Sequence, residues 1–247
     1  MEVPYTFPVE RSRELLSNIL EKMRSRQPLH PNASMTSYET NKQLFDFVFM
    51  PILTRYTEND AIFHSIFDEW MLKEFMETIF GISKSTMTRV DEYRVNLEFS
   101  SYCSSEQYLI DICKVLNLIF RYFDFQTILN ACPNQDIGRV NTFLLNCSKT
   151  SKSPQLIEWA YYSLTSMFIR ILNNIPTEGD FSVNMIKMID DTSEQVLKLI
   201  LHHGQSATFK ALIHKSFRNL IQIIESINLQ KSQTRVVDAR LFEGAAY

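Results

Sequence analysis

The chain has 247 residues, 45% of them apolar and 21% charged, which makes it globular rather than disordered and long enough for one sizeable domain or two small ones. Five glycines and eight prolines are too few turn formers for a barrel or sandwich and point to long helices with few connections. A net charge of −3 disfavours generic binding to nucleic acid or an anionic membrane, and no apolar run reaches the roughly 18 to 20 residues that span a bilayer.

The N-terminus, with acidic residues, two prolines and no apolar core, does not read as a secretory signal. Val9 to Arg26 is the first expected helix, with Leu15, Leu16, Ile19, Leu20 and Met23 at helical spacing. It stops at the loop Gln27 to Asn32, so residues 1–32 could form a detachable arm, although the apolar stripe favours packing on the body. From Ser37 a second helix carries Leu44, Phe45, Phe47, Val48 and Phe49, and Pro51 is expected to kink or end it near Met50.

Thr57 to Asp60 matches a capping box. The helix it opens repeats Ile62/Phe63, Ile66/Phe67, Trp70/Met71, Phe75 and Ile79/Phe80 every three or four residues, and Gly81 ends it. Between Glu39 and Glu77 eight acids stand against Lys42, Arg55 and Lys73, so this region is acidic by five charges. Ser83 to Ser100 fits helix or strand, and helix is preferred because a lone strand would have no partner in this chain.

Ser104 to Asp124 is apolar nearly all round, with only Asp111, Lys114, Asn117 and Arg121 as a polar stripe, and Ser104 with Gln107 forms a second capping box. Such a helix is surrounded by others, which makes it the expected centre of the core. Short helices follow at Phe125 to Ala131 and Ile137 to Cys147, separated by Cys132-Pro133-Asn134. Ser153 and Pro154 mark the cap and first position of a helix that runs to Asn174.

Asp180 to Gln230 reads as a hairpin of two amphipathic helices joined at His202 to Ser206, a link short enough to make them antiparallel neighbours. Its second helix places Ile213, Phe217, Leu220, Ile224 and Ile227 on an apolar seam. The opposite face carries Lys210, His214, Lys215 and Arg218, and Val196 to Lys231 is basic by four charges. Residues 231–247 form an expected tail in which Val237, Leu241 and Phe242 could order on a partner.

Chemistry has little purchase on this sequence. Cys103, Cys113, Cys132 and Cys147 lack the spacing of a zinc knuckle and read as reduced structural thiols of a cytoplasmic or nuclear protein. His202, His203 and His214 would not converge on one ion, because adjacent helical residues project about 100° apart. Asp190-Asp191 and Asp68-Glu69 read as solvated helix faces, and all five glycines fall at expected helix ends or loops. No phosphate loop, nucleophile elbow, HExxH or CxxC occurs, so neither a cofactor nor an enzymatic reaction is expected.

The expected fold is all-α, an antiparallel helical bundle or an irregular α-solenoid with helix pairs stacked in the HEAT and armadillo manner, of about 8 to 10 helices. Residues 33–230 are expected to form a single domain with the hairpin 180–230 at its end. The expected function is a protein-protein interaction module, an adaptor or scaffold subunit that docks a peptide or helix on a helical surface, with Lys210, His214, Lys215, Arg218, Val237, Leu241 and Phe242 as partner-binding residues. The alternatives are a bundle whose phenylalanines and methionines line a pocket for a lipid or other apolar ligand, and a complex subunit that touches nucleic acid through the basic hairpin.

Overall fold

A computed structural model of the chain describes residues 8–24, 45–57, 60–80, 106–132, 134–151, 153–174 and 180–203, together with 221, 223, 225 and 229. The described residues are all-helical and contain no strand. The helices are α1 (Val9–Arg24), a π-helical turn Phe45–Phe49 continuous with α2 (Met50–Arg55), α3 (Asp60–Ile66), α4 (Glu69–Phe80) and α5 (Glu106–Tyr122). They continue with α6 (Phe125–Ala131), α7 (Asn134–Thr150), α8 (Pro154–Asn174) and α9 (Asp180–His203).

The chain divides into two compact units, Met1–Val140 and Asn141–Tyr247, with the boundary inside α7. The second capping residue expected at Ser104, the helix expected over Ser83 to Ser100, the loop Gln27 to Asn32 and the tail 231–247 lie outside the described residues.

In the first unit α1 packs on the π turn, α3 and α4, burying Leu16, Ile19 and Leu20. Pro51 does not end a helix. It stands in the first turn of α2, and the π turn directly before it takes up the change in register that a residue without an amide hydrogen imposes. The turn inserts Phe45 and Phe49, stacked with centroids 4.7 Å apart, beneath Phe75 of α4 and Tyr108 of α5. Phe63, Phe67 and Phe123 continue this aromatic core, whose offset and edge-on pairs add to the burial of apolar area.

The periodicity from Ile62 to Phe80 is not one helix. Phe67 and Asp68 interrupt it, and Asp68 opens α4 as an N-cap, its Oδ1 accepting from the Met71 amide at 2.9 Å. In α5 the expected polar stripe is partly buried: Asp111 and Asn117 are 3% and 8% exposed, which places packed neighbours over that side as well. The Asp111 carboxylate accepts from Lys114 Nζ at 2.8 Å and from Gln107 Nε2 at 3.0 Å, so its buried Oδ1 is satisfied. Gln107 thus reaches forward to Asp111 through its Nε2. Asp124 caps α6 through Thr127, and Cys132 closes it.

The second unit contains the rest of α7 with α8 and α9. Pro154 occupies the first position of α8, preceded by Ser153, whose carbonyl accepts from Ile157 at 3.1 Å. Leu156, Ile157, Leu164, Met167, Phe168 and Ile171 bury one side of α8, and Met185, Ile189 and Val196 bury one side of α9. Ile223, which the expected seam of the terminal helix omits, is 1% exposed, while Ile221 and Leu229 are exposed.

Candidate docking groove

Helix α1 turns its apolar stripe inward, which leaves Glu10, Arg13, Glu14, Ser17 and Asn18 on its outer side at helical spacing. Helix α4 begins beside it. Because Asp68 is the cap, Trp70 falls in the first turn of α4, and that turn presents Trp70 outward while Met71 and Leu72 go into the core. The six outer residues line an open groove of about 440 Å³.

Asp68 holds the groove in shape. While Oδ1 fixes the start of α4, Oδ2 accepts from Arg13 Nη2, and the same guanidinium lies 5.9 Å from the centre of the Trp70 ring. Arg13 is thus committed on two sides, by an ion pair and by a cation–π contact. Trp70 is held on one side by Arg13 and remains 49% exposed. Glu10, Glu14 and Glu69 are exposed and have no ion pair among the described residues. Glu10 and Glu14 stand one helical turn apart, a spacing at which like charges repel.

Of the residues singled out in the sequence, Lys210, His214, Lys215, Arg218, Val237, Leu241 and Phe242 lie outside the described residues, as do Cys103 and the junction Gly204 to Ser206. His202 is exposed in the last turn of α9. Among the described residues no group of three or more His, Cys, Asp or Glu side chains could hold a metal ion. Cys113, Cys132 and Cys147 are buried and in no disulfide. Asp190 and Asp191 are exposed on α9, whereas Asp68 is the cap and ion-pair residue described above rather than part of a solvated face.

Arg13 and Trp70 were not among the expected binding residues. Their meeting depends on the packing of α1 against α4, and the one local signal was the polar series Glu10, Glu14 and Asn18 at helical spacing. Among the described residues no helix is long and apolar enough to cross a membrane. Comparison with protein-family models, with curated proteins and with solved structures finds no match.

Proposed function

We propose that this chain is a non-enzymatic protein-protein interaction module, an adaptor or scaffold subunit of an intracellular complex, that docks a peptide or helix in the groove between α1 and α4. The observation that carries this reading is Trp70: a half-exposed indole set in a groove and held by Arg13 and Asp68. Tryptophan and arginine are the side chains most often found at the energetic centre of protein interfaces. Holding them in place before binding lowers the entropy lost when a partner docks. The buried thiols of Cys113, Cys132 and Cys147 fit a reducing compartment. The basic residues Lys210, His214, Lys215 and Arg218 belong to the same proposal as a second contact surface.

The test is crosslinked affinity purification of the tagged full chain beside its Trp70→Ala variant, with circular dichroism to compare helix content. Loss of a specific partner at unchanged helicity is the expected result. Capture of the same partners in the same amounts would remove the groove from the proposal. Charge reversal at Lys210, Lys215 and Arg218, read in the same way, tests the second surface independently.

A further inference from the structure

The groove's charge points to its occupant, and, resting on the docking reading above, we propose that it takes a basic peptide segment of a partner, which sets a lysine or arginine side chain against the exposed part of Trp70 within reach of Glu10 and Glu14. Among the described residues the one cation that lines the groove, Arg13, is already paired with Asp68. Arg11 and Lys73, the other cations of these two helices whose side chains are described, do not line it. Glu10 and Glu14 on one wall, and Glu69 beside Trp70, are left without a counter-charge among the described residues.

A cation placed between Glu10 and Glu14 would relieve their mutual repulsion, and it would meet the negative face of the indole. An acidic segment would add a fourth like charge. A wholly apolar segment would strip water from the carboxylates without replacing it. The surroundings act in the same direction over a longer range. Residues 1–140 carry 19 Asp and Glu against 14 Lys and Arg, so the unit that holds the groove attracts basic partners during encounter.

The experiment uses the full chain with Trp159→Phe, which leaves Trp70 as its one indole. The probes are a tryptophan-free amphipathic helical peptide bearing lysine and arginine, and the same peptide with glutamate at those positions. The basic peptide is expected to shift Trp70 emission saturably and to bind more weakly as salt rises, and the glutamate peptide to leave it unchanged. Glu10→Gln with Glu14→Gln should weaken the basic peptide about three- to tenfold, the range for two partly exposed ion pairs.

Equal responses to the two peptides, or an unchanged affinity in the double glutamine variant, overturn the basic occupant and leave the docking groove standing. No response to the basic peptide, alongside loss of a partner in Trp70→Ala, does the same. No response to either peptide, with partner capture indifferent to Trp70→Ala, overturns the groove itself. If Trp159→Phe does not fold, the indole N–H resonance of Trp70 in the unaltered chain reads the same titration.

Discussion

Asn141 of α7 donates from Nδ2 to Thr192 Oγ1 of α9 at 2.9 Å, and both side chains are buried. The bond joins residues 51 apart in sequence inside the second unit. The Asn141 Oδ1 has no hydrogen-bond partner among the described residues. Thr192→Val would strand the other end of the amide as well, and should cost about 1 to 3 kcal/mol. Combining it with Asn141→Leu removes donor and acceptor together, so the pair should cost less than the sum of the single changes. Urea unfolding of the four proteins gives the coupling directly. Additive costs would mean that the bond contributes nothing.

Asp68 serves α4 and Arg13 at once, and two substitutions separate these tasks. Asn caps a helix as well as Asp does but carries no charge. Asp68→Asn should therefore cost less than about 1 kcal/mol, the range for a half-exposed ion pair, while Asp68→Ala adds a lost cap and should cost about 1 to 2 kcal/mol. Both changes release Arg13 from one of its two contacts, so both should alter Trp70 emission in a Trp159→Phe background. Equal costs for the two variants would mean that the cap contributes nothing.

The Thr127 amide and hydroxyl donate to the Asp124 carboxylate and hold its pKa below the ordinary value of 3.8. A depressed pKa contributes stability above the unfolded value that is lost as pH falls through the folded one. The advantage of the native chain over Asp124→Asn in melting temperature should thus hold from neutrality down to about pH 4 and shrink below it. Scanning calorimetry between about pH 2 and 7 checks this, and an advantage that persists at the acid end would exclude the carboxylate as its source.

Sequence was most informative where local chemistry punctuates the chain. The Cys132-Pro133 break gives α6 its end at Ala131, and Ser153-Pro154 gives the start of α8, because caps and prolines act within a few residues, whereas Asp124, read as the end of the preceding helix, is the cap of α6. It was least informative where apolar spacing runs on across an interruption. Phe63, Phe67 and Phe75 are all buried, so their pattern hides the break at Asp68, which is stabilised by Arg13 from 55 residues away. The burial of Asp111 and Asn117 escaped notice for a related reason, since a polar stripe reads as solvated until the helices that cover it are known. The groove has no linear signature: Trp70 shares the apolar spacing of its neighbours, and the phase that turns it outward is set by the cap.

Tyr161 is buried in α8 and its hydroxyl has no hydrogen-bond partner among the described residues. Burial penalises the phenolate and raises its pKa above the ordinary value of 10.0. Tyr161→Phe removes an unsatisfied polar atom and keeps the ring, so it should be neutral or stabilise the fold by up to about 1 kcal/mol. A raised pKa contributes stability that is complete below pH 10 and lost as pH rises beyond it. The native chain should therefore lose stability above pH 10 faster than the variant. A marked loss in Tyr161→Phe at neutral pH would mean that the hydroxyl has a partner.

Gly138 was expected at a helix end, yet it lies inside α7, which starts at Asn134, and a Cβ built on it meets nothing within 4 Å. Glycine in a helix interior costs about 0.5 to 1 kcal/mol relative to alanine, because the unfolded chain has more backbone freedom to lose. With open space around it, nothing in the folded state opposes the exchange. Gly138→Ala should stabilise the chain by an amount in that range, raise the melting temperature and leave the aromatic core undisturbed. A destabilised variant would mean that α7 must bend or open at Gly138, near the boundary between the two units, and hydrogen exchange of the Arg139 and Val140 amides would then report the opening.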